Sequence, residues 1–248
     1  MTRIFAYAFV AVACAGITSS YESFAAIEVG PGSAPIGFTP TKLPKRKLSP
    51  IHLELRGAID SAEGERRVLK RMVLEIDRNV AIDPKGLATC RLRRIRKADT
   101  ATALKACKAA LVGEGKMEFE VSYPEQSPLI PFGRVLAFNG GVTRIYLHAF
   151  LKSPVAAPLV IVVKASKVQR GRYGTKLVAT IPPIADGAGS LTKIELGLFR
   201  MFTYKGKKRS YLRARCADGK LQARWEAEFA EVPVLSRGAV IQPCTVKG

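Results

Sequence analysis

The stretch Arg209-Ser210-Tyr211-Leu212-Arg213-Ala214-Arg215-Cys216-Ala217-Asp218-Gly219-Lys220-Leu221-Gln222-Ala223-Arg224-Trp225-Glu226-Ala227-Glu228-Phe229 decides the fold class. On both sides of Asp218-Gly219, apolar and polar residues alternate with the period of two that a half-buried strand requires. An Asp-Gly pair between such runs favours a two-residue type I′ turn, whose central residues both take φ > 0. That turn sets Cys216 opposite Leu221, Ala214 opposite Ala223 and Leu212 opposite Trp225, all on one apolar face. Tyr211, Arg213, Arg215, Gln222, Arg224, Glu226 and Glu228 fall on the other face. Arg213 then opposes Arg224, a like-charge pair that Glu226 or an external anion must neutralise. The stretch predicts an antiparallel hairpin with one face in a core.

The same pattern extends outward in both directions. Strand-like runs occupy Ile51–Ile59, Val68–Asp77, Met117–Tyr123, Arg134–Phe138, Val142–Leu151, Pro158–Ala165, Lys176–Ile181, Leu191–Arg200 and Val234–Gln242, mostly separated by turn residues. Asn139-Gly140 predicts a second hairpin, with Ile145, Leu147 and Ala149 facing the core. One helix is expected near 99–112. Asp99 or Thr100 caps it, Leu104, Cys107, Ala110 and Leu111 recur at helical spacing, and Gly113 closes it. The expected fold is mostly β, an antiparallel β-sandwich or barrel-like body with this one short α-helix.

Residues 26–50 hold five prolines and three glycines around the basic run Lys42, Lys45, Arg46 and Lys47, and read as an extended lead-in. The β-rich body then runs over 51–248. Pro124, Pro128 and Pro131 offer an alternative boundary near 124–133 between two small β modules, but a single body is favoured because Leu129, Ile130 and Phe132 in that stretch need burial.

Met1 to Ala25 reads as a secretory signal peptide: Arg3 precedes an apolar run from Ile4 to Ile17, and Ser23-Phe24-Ala25 fits the cleavage pattern. The apolar run is shorter than the roughly 20 residues that span a bilayer, so no transmembrane segment is expected after cleavage. A lipoprotein reading at Cys14 competes with this one. The chain has five cysteines, and cleavage leaves Cys90, Cys107, Cys216 and Cys244. An even count outside the cytosol suggests two disulfides, with three pairings open on paper. We favour Cys90–Cys107 and Cys216–Cys244, because each joins cysteines of the same half of the chain.

Phe138-Asn139-Gly140, Tyr146-Leu147-His148-Ala149, Arg172-Tyr173-Gly174, Gly189-Ser190-Leu191-Thr192 and Arg209 to Cys216 occur in this order. Over about Leu43 to Cys244 the chain resembles a family of uncharacterised secreted proteins from high-GC Gram-positive (actinobacterial) bacteria. The resemblance implies export, a β-rich fold and a closing cysteine. It implies no activity, substrate or catalytic residue. Ala230-Glu231-Val232-Pro233 departs from the expected Asp-Gly-Thr turn and suggests a longer connection there.

Catalytic chemistry finds little material. His148 shares a strand face with Arg144, Tyr146 and Phe150, and nothing acidic lies between Glu125 and Asp186 to orient it. It reads as a half-exposed strand histidine. His52, beside Glu54, reads the same way. Two histidines nearly 100 positions apart make no HExxH zinc site, and GxSxG and GxGxxG are missing. Glu226 and Glu228 are explained by salt bridging on a solvated face. We expect no catalytic residue, no metal and no cofactor. A secreted hydrolase acting on an envelope polymer, its site assembled from distant strands, is the alternative.

Charge is the feature above background. Lys and Arg number 40 against 20 Asp and Glu, a formal net charge of +20. Arg91, Arg93, Arg94, Arg96 and Lys97 crowd one window; Lys205, Lys207, Lys208 and Arg209 crowd another beside Phe202, Tyr204 and Tyr211. Four arginines so close cannot all be buried without carboxylates, and their window offers none before Asp99. Such a surface suits anionic cell-wall polymers or acidic polysaccharides. No zinc-finger or RRM-type motif directs it to nucleic acid. The bland alternative is a cationic, soluble surface without a specific partner. The expectation is a secreted or cell-envelope protein, a non-enzymatic interaction module with a cationic face.

Overall fold

The computed structural model describes residues 36–59, 67–152, 156–168, 171–230 and 235–247. The expected signal peptide, Cys14 and the first ten residues of the lead-in lie outside the described residues, as does the connection 231–234.

The chain is mostly β, and the sandwich-or-barrel expectation resolves to a barrel-like body. Its strands in chain order are β1 (Ile36–Thr39), β2 (Lys42–Leu43), β3 (Ser49–Pro50), β4 (His52–Ala58), β5 (Leu69–Asp77) and β6 (Val80–Ile82). After helix α1 (Thr100–Cys107) come β7 (Leu111–Val121), β8 (Phe132–Asn139), β9 (Arg144–Leu151), β10 (Ala157–Lys167), β11 (Tyr173–Thr180) and β12 (Gly189–Leu198). The chain ends with β13 (Met201–Tyr204), β14 (Lys207–Ser210), β15 (Leu212–Ala214), β16 (Lys220–Phe229), β17 (Leu235–Pro243) and β18 (Thr245–Val246).

Eleven strands make one antiparallel sheet in the order β1-β4-β12-β7-β8-β9-β10-β11-β5-β16-β17, which curls until its edges almost meet. Two glycines of β7 permit that curl. A Cβ on Gly113 would stand 2.1 Å from the Gly197 carbonyl oxygen, and one on Gly115 would stand 1.8 Å from that of Glu195. β1 and β17 exchange no backbone ladder. Instead the Gln242 side chain bridges them, its Oε1 accepting from the Phe38 N–H (2.6 Å) and its Nε2 donating to the Phe38 carbonyl (2.8 Å). Below this seam β18 pairs in parallel with β2, and Cys216 is bonded to Cys244. The proline-rich lead-in is thus corrected from Ile36 onward. Ile36 and Phe38 are buried in the barrel edge, because their alternation outweighs the flanking prolines.

The predicted hairpin at Asp218-Gly219 does not form. β16 pairs with β5 and β17, while β15 joins β3 and β6 in a small three-stranded sheet at the base of the barrel. Arg213 accordingly never meets Arg224: it lies 2.9 Å from Asp83, and Arg224 pairs with Glu75. The six residues placed on the apolar face are nonetheless all buried. The alternation breaks at Tyr211, between β14 and β15, so that Tyr211 and Leu212 are both buried. The other predicted hairpin forms: β8 pairs with β9, and Ile145, Leu147 and Ala149 face the core. β7 and β8 pair across the proline-rich 124–131 connection. Leu129, Ile130 and Phe132 are exposed there rather than buried, since they sit on the barrel's rim.

The interior is almost wholly apolar, mostly aliphatic with a few aromatic side chains such as Phe119 and Trp225. Between the rim and the base it retains a cavity of about 120 Å³, lined by side chains such as Leu74, Ile145, Leu147, Ile161, Leu177 and Leu196. Tyr211 lies in the same wall.

Candidate functional site

The first basic window folds as a platform on the outside of the barrel. After β6 the chain passes Cys90, makes a 3-10 turn over Leu92–Arg94, then enters α1. Asp99 caps α1: its carboxylate accepts from the Thr102 N–H at 2.7 Å, and that bond holds its pKa below the usual carboxylate value. The helix ends at Cys107, followed by a second 3-10 turn over Lys108–Ala110. Gly113 does not close it but belongs to β7, where a side chain has no room.

The underside of the platform is apolar. Ile95, Ala103, Cys107 and Ala110 pack on Leu136, Phe138 and Tyr146, which point outward from β8 and β9. Three further ties fix its position, two that involve Asn139 of the wall and one within the platform. The Cys90 N–H donates to the Asn139 carbonyl (2.8 Å), the Asn139 Nδ2 donates to the Ala88 carbonyl (2.9 Å), and Cys90 is bonded to Cys107.

His148 is the fourth tie. The expected half-exposed strand histidine is in fact fully buried beneath the platform, with Nε2 2.9 Å from the Ala98 carbonyl oxygen. Its Nδ1 has no partner among the described residues. Burial pushes its pKa below the ordinary histidine value, only partly opposed by the bond to Ala98. Facing a carbonyl oxygen, Nε2 is the donor, and burial favours the neutral imidazole.

The upper side of the platform is cationic. Residues 90–110 carry Arg91, Arg93, Arg94, Arg96, Lys97, Lys105 and Lys108 against one carboxylate, Asp99, and all seven cations are exposed. Arg94 donates to the Ala106 carbonyl at 3.4 Å. Among the described residues none of the seven stands in a salt bridge. Their charge is spent on solvent.

The second basic window is a separate hairpin, β13–β14, turning at Lys205-Gly206 with φ of 51° and 70°. Lys205, Lys207 and Lys208 are exposed, and the Lys205 ammonium lies 5.8 Å from the centre of the Tyr204 ring. Arg209 is corrected out of the open set. It is half-buried and paired with Asp83, the carboxylate that also holds Arg213. The Tyr204 ring fills the space beside Gly86, so this hairpin rests on the loop that leads into the platform. No ion pair or hydrogen bond among the described residues joins the two windows themselves.

The remaining candidates are dispersed. Glu228 lies 3.7 Å from Arg71 on the outer wall, and the His52 ring packs on Phe199 at 4.9 Å. Among the described residues no group of three or more His, Cys, Asp or Glu is placed to hold a metal ion. No helix there is long and apolar enough to cross a membrane. No protein-family model matches the chain, and no curated protein or solved structure shows significant similarity to it.

Proposed function

We propose that the protein is an exported, non-enzymatic binding module whose platform, residues 90–110, engages anionic polymers such as cell-wall polymers or acidic polysaccharides. One observation carries this reading: seven exposed cations against a single carboxylate, mounted on a base that is buried, hydrogen-bonded and disulfide-pinned. Loose basic loops lose entropy on binding, whereas a fixed array has already lost it. The disulfides and the signal-like segment Met1–Ala25 support export. Lys205, Lys207 and Lys208 extend the field without sharing the rigid base.

Heparin serves as the test polymer. Affinity should fall steeply with salt, because each cation engaged releases condensed counterions, a slope of roughly 0.7–0.9 per contact in nucleic-acid systems. Changing Arg91, Arg93, Arg94 and Arg96 together to Gln should lower that slope by about 3, whereas Lys116→Gln on β7 should leave it within about 1. An unchanged slope in the four-Gln variant, with the circular dichroism spectrum intact, overturns the reading.

A further inference from the structure

Three guanidinium groups gather around one carboxylate at the base of the barrel. Arg209 on β14 donates through Nη2 to Asp83 Oδ2, and Arg213 on β15 brings its own Nη2 to 2.9 Å from the same oxygen. Arg200 is the third. Phe202 stands opposite Arg209 in the β13–β14 ladder, so Arg200, two residues earlier, falls diagonal to Arg209 on the same face. Main-chain bonds tie the segments that carry these groups. The Tyr211 N–H donates to the Arg200 carbonyl (2.8 Å), and the Asp83 N–H donates to the Tyr211 carbonyl (2.8 Å).

Three guanidiniums against one carboxylate leave a surplus of two positive charges. The other carboxylates towards this end are engaged elsewhere, since Asp77 and Asp218 both hold Arg172. The next side chain along from Asp83 adds to the surplus: Lys85 is exposed, and its backbone N–H faces Asp83 Oδ1 at 3.4 Å. Among the described residues the Arg200 guanidinium has neither an ion pair nor a hydrogen bond. Burial has closed the Nε atoms of all three arginines to water without giving them a partner there. Like charges brought together and partly desolvated in this way cost free energy, which a bound anion offsets.

The outer nitrogens are the ones a ligand can reach. Nη1 of Arg209, Nη1 of Arg213 and both Nη atoms of Arg200 have no partner among the described residues and stay open to solvent. The Arg209 and Arg213 side chains are 27% and 31% exposed, so they are held by Asp83 and still accessible. Because the two meet at one oxygen, their free nitrogens belong to adjacent groups. Guanidiniums so fixed offer the fork of N–H donors that phosphate oxygens accept. Lys205, Lys207 and Lys208 on the same hairpin have no such fixing.

We propose that Arg200, Arg209 and Arg213 form a binding site for a dianionic tetrahedral oxyanion, a phosphate monoester or free phosphate, whose two charges match the surplus. Asp83 is a positioning residue that holds two of the arginines. The site lies on β13–β15, apart from the platform on the β8–β10 wall, and does not rest on the reading of that platform.

Calorimetric titration of the full chain with phenyl phosphate, inorganic phosphate and dimethyl phosphate tests it. The two dianions should bind with dissociation constants below about 1 mM. Dimethyl phosphate, a monoanion, should bind at least about tenfold more weakly, the loss expected when a charge-assisted hydrogen bond is removed. Tighter phenyl phosphate marks an ester as the ligand and tighter inorganic phosphate marks the free ion; either supports the site. Arg213→Gln and Arg200→Gln should each weaken phenyl phosphate at least about tenfold. The Arg200 side chain has no partner to lose, so its variant should melt as the parent does, and it decides alone if Arg213→Gln does not fold. The chain carrying Arg91→Gln, Arg93→Gln, Arg94→Gln and Arg96→Gln should keep its affinity for phenyl phosphate within about threefold, because those charges stand outside the site. Loss of binding in that chain would place the phosphate on the platform and overturn the site. Equal affinity for the monoanion, binding unaltered in Arg200→Gln, or no binding by the parent overturns it as well.

Discussion

The two disulfides close loops of similar size, with sequence separations of 17 and 28 residues, yet they hold different kinds of structure. Chain entropy alone assigns them nearly equal contributions, about 3 and about 3.5 kcal/mol. Cys90–Cys107 joins the two ends of a surface layer that lies on a wall already complete. Cys216–Cys244 fastens the C-terminal strands at the one place where the sheet does not close on itself. The lesson is that loop length says little about what a bond secures. What matters is whether the sheet on either side is otherwise paired.

That contrast predicts a division of effects. Replacing Cys216 and Cys244 together by Ser should lower the global unfolding free energy by about 3–5 kcal/mol, read from urea denaturation. The Cys90→Ser, Cys107→Ser pair should leave the barrel's midpoint much closer to the parent's. Amide exchange should rise over 90–110, and heparin affinity should fall as the array loosens. Equal global losses in the two double variants would remove the distinction.

Gln242→Ala sharpens the same comparison at the seam without touching sulfur. It strips partners from both the N–H and the carbonyl of Phe38, a nearly buried position, and should cost about 1–3 kcal/mol. Gln242→Glu keeps an acceptor for the N–H but no donor for the carbonyl, and should be of intermediate stability. A loss below about 0.5 kcal/mol for Gln242→Ala would show that the seam closes by other means.

The smallest effect concerns His148 and distinguishes the platform from the barrel by pH. Its folded pKa lies below that of the unfolded chain, about 6.5. Below pH 6.5 the unfolded state therefore binds more protons, so the stability it contributes is complete above that pH and declines as pH falls. The decline is at most about 1.4 kcal/mol per pH unit for one group. Platform amides should lose protection, taken relative to the intrinsic exchange rate at each pH, between pH 6.5 and 5, and His148→Gln should flatten that dependence. A loss of protection in acid that persists in the variant would assign the effect elsewhere.

Most strands were legible because alternation survives from sequence to structure: β4, β5, β9, β10 and β16 lie within a few residues of the apolar-polar runs that predict them. Partners were less so. Asp218-Gly219 reports a turn and faces, but nothing local says that β15 prefers β6 to β16. Tyr211 was misplaced because the break between β14 and β15 shifts the alternation by one residue, which no turn residue announces. The platform's seat left a signal that a period of two overlooks. Val135-Leu136-Ala137-Phe138 and Leu159 to Val163 are apolar at successive positions, the mark of strands covered on both faces. The candidate cations were visible as charge. Which of them remained open was not, because Asp83 captures Arg209 from 126 positions away.

The Gln242 amide joins residues 204 positions apart, and this separation orders the assembly of the molecule. As the chain is delivered from its N-terminus, β1 can pair with β4 early, but its second edge waits for almost the whole remaining polypeptide. A waiting edge of this kind is a template for the wrong strand, from another copy or another chain. Non-local closure of this length is also among the slowest steps a β-rich fold contains. Residues 235–247, carrying Gln242, Cys244 and β18, therefore act as the latch of the body. A chain released without them would retain most of its hydrophobic interior and lack the means to shut it.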